Sequence, residues 1–207
     1  GVKMPVYHFL YREDSLIHTN NFDLSKKLIQ LFDSLLGTYP FIHEKYGHAQ
    51  WNRGGGMEHQ TMSFMKDLNF ELNAHELAHQ WFGNKITCQS WQDIWLNEGF
   101  ATYMTGIAYE HIAPIYFPLY IQTQMKRIMY QYNGSVYCTD TTNIGRIFDS
   151  RLSYSKGAMI LHQLRWLIGD TAFYKAIRNY LNDPQLAYQF STSNLLIQHF
   201  EKTAQMD

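Results

Sequence analysis

The chain has 207 residues, of which 45% are hydrophobic, 16% aromatic and only 17% charged. That composition excludes a disordered chain, which would be rich in charge and poor in aromatics, and no unbroken apolar run is long enough to span a bilayer. Seventeen basic against eighteen acidic side chains leave a net charge of −1, which excludes the strongly basic surface that drives nucleic-acid binding.

The length suits one domain with a sizeable core. The chain opens at Gly1 with no basic and apolar leader, so a processed protein or a piece of a longer one is expected. The scarcity of charge beside so many aromatics suggests that part of the surface is normally covered.

Residues 23–36 read as an amphipathic helix, with Leu24, Leu28, Leu31, Phe32 and Leu35 at helical spacing, Asp23 or Ser25 as a cap and Gly37 as the stop. Beyond Pro40, residues 46–52 read as a strand, broken by Gly54-Gly55-Gly56. A helix is expected over 69–82, with Gly83-Asn84 after it, and a short strand over 85–88. Helices are expected over about 93–112 and 115–131, then a turn at Asn133-Gly134. Three more should cover about 155–168, 171–182 and 192–203, separated by Gly169-Asp170 and Asn182-Asp183-Pro184. Helix dominates and strands cluster before residue 90, so the fold class is α+β and helix-rich, with a small N-terminal sheet.

Charge is unevenly spread. Residues 51–110 hold three Lys/Arg against seven Asp/Glu, and residues 121–180 hold eight against three. The acidic stretch favours a cation, whether a metal or a ligand ammonium. Cys88 and Cys138 permit one disulfide at most, and two buried free thiols are expected instead. The compartment is left open.

Within the expected helix, His75-Glu76-Leu77-Ala78-His79 matches H-E-x-x-H. Spacing of four puts His75 and His79 on one face, a turn apart, where two imidazoles can reach one zinc ion. Glu76 beside them is placed as a general base toward a metal-held water. Catalytic zinc sites use three protein ligands, and Glu98, in Asn97-Glu98-Gly99-Phe100-Ala101, is the candidate third. His8, His18, His43, His48, His111, His162 and His199 have no such setting and are expected on the surface or hydrogen-bonded in the core. Gly54–Gly56 lacks the Gly-Lys-Ser/Thr ending of a phosphate loop.

Several motifs together resemble the zinc aminopeptidases related to aminopeptidase N and leukotriene hydrolase, within the gluzincins. They are Gly55-Gly56-Met57-Glu58-His59, the H-E-x-x-H element with Glu98, the flanking His79-Gln80-Trp81-Phe82-Gly83-Asn84 and Trp95-Leu96, and Tyr154-Ser155-Lys156-Gly157-Ala158. The resemblance implies a thermolysin-like catalytic domain with one Zn2+ held by His75, His79 and Glu98. It implies Glu76 as general base and Tyr154 as the phenol that stabilises the oxyanion. It further implies that Glu58 binds the free α-amino group of a peptide, while Gly55, Gly56 and Met57 let the peptide lie alongside as an added strand. His59 stands where the family usually has Asn. Such a domain is normally preceded by a β-rich domain and followed by a helical one, so residues 1–207 are expected to be the catalytic middle of a larger chain. A thermolysin-type endopeptidase and a non-catalytic peptidase-like module are the alternatives. Epoxide hydrolysis on a lipid, as in leukotriene hydrolase, has no residue in its favour.

Overall fold

A computed structural model describes residues 3–18 and 21–205, so Gly1 lies outside the described residues. The chain order is β1 (Val6–Phe9), α1 (Ser15–His18), α2 (Phe22–Leu36), β2 (Tyr46–Gln50), β3 (Gly56–Met57), β4 (Ser63–Met65), α3 (Phe70–Ala78) and β5 (Ile86–Cys88). It continues with α4 (Trp95–Ile112), α5 (Phe117–Met129), α6 (Ile144–Ile147), a π-helical turn (Ser150–Lys156), α7 (Gly157–Leu181), β6 (Gln189–Ser191) and α8 (Ser193–Ala204). The fold is α+β and helix-rich.

The N-terminal sheet has the order β1-β2-β4-β3. β1 and β4 both run parallel to β2, and β3 runs antiparallel to β4 as an edge strand. The strands expected before residue 90 are found there. β1, β3, β4 and β6 were not foreseen, and β6 pairs in parallel with β5 from a hundred residues away.

α2 spans the expected residues, but neither Asp23 nor Ser25 caps it. Asn21 occupies the cap position, and the Ser25 hydroxyl is turned inward, where it accepts from Asn73 Nδ2 at 2.8 Å. α2 buries Leu28, Phe32 and Leu36 against α3. Phe32 meets Trp81 edge to face at 6.1 Å, and the Trp81 indole N–H donates to the Gly37 carbonyl at 3.1 Å. Complete burial of a side chain of this size stabilises by roughly 2–3 kcal/mol. α3 itself ends at Ala78 rather than at 82, because Gln80 and Trp81 close tighter turns onto Leu77 and Ala78 before the chain enters β5. Gly169, at φ 77°, divides α7 into the two expected helical stretches.

α4 is the centre of the molecule, with every residue from Trp95 to Ala108 buried. A helix hidden on all sides needs small residues where neighbours cross it. Gly99 is such a place, since a Cβ there would lie 2.9 Å from the Cα of Gly157. The glycines of Asn97-Glu98-Gly99 and Lys156-Gly157-Ala158 are therefore one contact between backbones, and it brings the turn carrying Tyr154 onto the helix carrying Glu98. Phe100 stacks on Phe82 at 4.1 Å, which joins α4 to the turns after α3. Cys88 and Cys138 are buried free thiols, as expected. Gly99→Ala should force α4 and α7 apart and lower stability by about 1–3 kcal/mol, read as a fall in the urea midpoint.

Candidate active site

α3 presents His75 and His79 on one face, and the first turn of α4 presents Glu98 to them. His75 Nε2 and His79 Nε2 are 3.1 Å apart, and they lie 3.2 and 3.4 Å from Glu98 Oε2. Their ligand atoms all fall within 4.8 Å of one another. The His79 Nδ1–H donates to the Phe82 carbonyl at 2.9 Å, which leaves Nε2 as the nitrogen that faces the cluster. The tight turns after α3 thus fix the tautomer of a helix residue.

Glu76 is buried, and its Oε2 has no hydrogen-bond partner. Burial pushes its carboxyl up to about 7, against the downward pull of His75 and His79. Gly56 lies directly over this carboxylate, so that a Cβ at residue 56 would collide with it. Glu58 follows two residues later, half-buried, and its carboxylate joins Glu76 and His79 in a second group within 4.8 Å. Burial pulls His79 down, but Glu58 and Glu98 outweigh it and hold the imidazole up to about 10. Three carboxylates around two imidazoles leave the cluster short of positive charge. A divalent cation fits this donor set, supplying the charge and giving the unpaired Glu76 oxygen a neighbouring polar group to hold.

Tyr154 sits in the π-helical turn before α7. Its ring lies parallel to that of His75 at 5.9 Å. Burial and then Glu98 raise its phenol above the usual range, so it carries a proton to donate. One extra residue per turn is a local device for re-aiming a side chain, and such turns recur at functional sites.

The structure therefore brings His75, Glu76, His79, Glu98, Tyr154 and Glu58 together. Gly55 is exposed, while Gly56 and Met57 form edge strand β3, with Met57 on the rim. A cleft of about 670 Å³ runs past Met57, Glu58, Glu98 and Tyr154. His59 also lines it, with its ring edge-on to Phe64 at 5.0 Å.

Some residues gained a role only in three dimensions. Gln80 is fully buried: its side-chain carbonyl accepts from Thr61 N at 2.9 Å and from the Tyr39 hydroxyl at 3.3 Å. Thr61 holds φ at 63°, a costly conformation for a β-branched residue. Asn84 Nδ2 donates to the Glu58 carbonyl at 2.8 Å. Both amides stood in the motif text after His79, but nothing in their spacing said that they grip the loop carrying Glu58. Trp91 and Phe148, packed edge to face at 5.8 Å, also line the cleft and carry no periodic signal.

A family model described as the peptidase family M1 domain matches residues 53–207. The chain belongs to the peptidase M1 family. It is 36% identical over 132 residues to a leucyl aminopeptidase of Saccharolobus solfataricus, covering 60% of this chain and 16% of that protein. It is 35% identical over 198 residues to a probable aminopeptidase 2 of Sulfurisphaera tokodaii, covering 83% of this chain and 24% of that protein. An M1 zinc metallopeptidase of Deinococcus radiodurans, solved with a Tyr-Ser-Ala substrate, superposes with a TM-score of 0.76 at 26% identity, over 86% of this chain and 41% of that one. M1 relatives thus extend well beyond the segment matched here.

Gln80→Ala would strand the buried Thr61 N–H and release its strained backbone. A loss of about 1–3 kcal/mol should appear as a lower thermal midpoint.

Proposed function

We propose that this chain carries the zinc site of an aminopeptidase, which hydrolyses the first peptide bond of substrates with a free N-terminus. The observation that carries this reading is the placing of Glu58 beside the His75-His79-Glu98 cluster, within 4.8 Å of Glu76 and His79. A hydrolase needing only a metal and a base has no use for a further carboxylate there. A substrate ammonium does, and its pairing with Glu58 would hold the first residue in register. The named aminopeptidases among its relatives support the same reading.

One Zn2+ would be held by His75, His79 and Glu98, and it supplies Lewis-acid polarisation together with a more acidic water. Glu76 accepts a proton at its unpartnered Oε2 from the attacking water and returns it to the leaving amine. Tyr154 donates its O–H to the substrate oxyanion, where charge develops only as the carbonyl is attacked. Edge strand β3 offers backbone groups to an extended peptide. Trp91 and Phe148 give the cleft wall that the first side chain would meet an aromatic surface, which favours a large apolar residue there. The relatives' greater length supports further domains in the whole protein, and the family resemblance implies a β-rich one before this segment and a helical one after it. Among the described residues, no helix is long and apolar enough to cross a membrane.

A thermolysin-type endopeptidase is the competing reading, and it predicts indifference to N-terminal blocking. Comparing a free-amine peptide with its N-acetylated form decides between them: equal turnover would overturn the aminopeptidase assignment. Glu76→Gln should retain metal by elemental analysis yet lose turnover by about 10²–10⁴-fold. Glu58→Ala should keep its metal and raise KM for free-amine peptides by about tenfold or more, the worth of one charge-assisted bond.

A further inference from the structure

A second recess, of about 210 Å³, lies beside the main cleft. Glu58 and Glu98 line the main cleft, His75 lines the recess, and Tyr154 is a wall of both. On the aminopeptidase reading, a peptide whose ammonium meets Glu58 and whose first carbonyl meets Tyr154 would run on toward this recess, because Tyr154 is the wall the two cavities share. Its leaving portion would enter there.

Arg127 reaches the recess from α5. Its Nη1 donates one long hydrogen bond, 3.4 Å, to the Ser155 hydroxyl, which itself donates to Gln124 Oε1 at 2.7 Å. No ion pair among the described residues involves Arg127. Other arginines are committed differently: Arg146, Arg151 and Arg178 donate to backbone carbonyls, and Arg165 is held by Glu110 and Asp170. Glu71, the acid in the same recess, accepts from the Tyr109 hydroxyl at 3.0 Å. The recess therefore presents a solvent-exposed guanidinium fork held, among the described residues, by that one long hydrogen bond, with Tyr154 in the same lining.

We infer that Arg127 binds a carboxylate on the leaving portion of the substrate, above all the free α-carboxylate of a di- or tripeptide. A guanidinium matches a carboxylate with two parallel N–H···O bonds, a geometry that lysine does not reproduce. With Glu58 at the other end, the site would grip a short peptide by both of its charges. It would then prefer short peptides with free ends over long ones, whose terminal carboxylate lies out of reach. The inference rests on the aminopeptidase reading, since only the ammonium at Glu58 points the leaving portion into this recess.

The test uses zinc-loaded Glu76→Gln protein, which should bind peptides without cleaving them, and measures affinity by calorimetry. The probes are Phe-Ala, its C-terminal amide, the amide of Phe-Asp and N-acetyl-Phe-Ala. Phe-Ala should bind about tenfold tighter than its amide, as one charge-assisted contact implies. Arg127→Ala should bring that ratio close to one, and Arg127→Lys should keep part of it. An Arg127-dependent gain for Phe-Asp amide would also support the carboxylate site and would identify a side-chain source. An acid-to-amide ratio that is near one in the parent, or that survives Arg127→Ala, overturns the inference while the aminopeptidase reading stands. If acetylation leaves affinity unchanged, the ammonium site fails and this inference falls with it.

Discussion

The close passage of two backbones at Gly99 and Gly157 is the constraint on which the rest of this structure depends. α4 has no solvent face over most of its length, so whatever touches it must do so without free space between. Interiors packed to crystal-like density transmit position rather than absorb it. Because Glu98 precedes one glycine of the pair and Tyr154 stands three residues before the other, their separation is set by a main-chain contact rather than by flexible side chains. α3 is fixed to the same helix through the stacked Phe82 and Phe100 rings. The two imidazoles, the carboxylate and the phenol are thereby held by α4 and two elements packed on it.

Electrostatics follow from that packing. Desolvation would ordinarily keep acids out of such a place, yet Glu76 and Glu98 are both buried here, with Glu58 half-exposed beside them. Three of the seven acids between residues 51 and 110 thus meet around one point in the fold. Part of the basic excess between residues 121 and 180 has a different use. Arg146, Arg151 and Lys156 donate to the carbonyls of Ser135, Tyr137, Gln131, Asn133 and Gly134, and so tie down the loop after α5. These three side chains hold the framework of the turn that carries Tyr154.

The helices and the metal-type cluster were legible in the sequence because their signals are local. His75 and His79 lie one helical turn apart, and the apolar spacing of 23–36 marks α2 directly. Glu98 needed only the inference that α4 folds back on α3. The features that escaped detection are those made by distant partners. β6 is three residues of ordinary text until β5 lies beside it. The cap of α2 was misjudged because Ser25 looks outward in sequence and turns inward to Asn73 in space. Gln80 and Asn84 were visible as motif letters, but a side-chain amide gripping a loop some twenty residues earlier leaves no periodic trace. His48 was rightly left out of the metal cluster, since it is buried against His8, with their Nδ1 atoms 2.9 Å apart.

The pairing of β5 with β6 is tied to a second long-range link. The Asp93 carboxylate just ahead of α4 accepts from the backbone N–H and the hydroxyl of Ser193, and the Trp95 indole N–H donates to that same hydroxyl at 2.8 Å. The start of α4, where Glu98 sits, is therefore anchored by residues made about a hundred positions later. During synthesis His75, His79 and Glu98 all leave the ribosome well before their last strut exists. Contacts of such sequence separation form slowly, because a long loop must close before they contribute. The last support of the helix start that carries Glu98 is therefore in place only once Ser193, at the head of α8, has met Asp93 and Trp95.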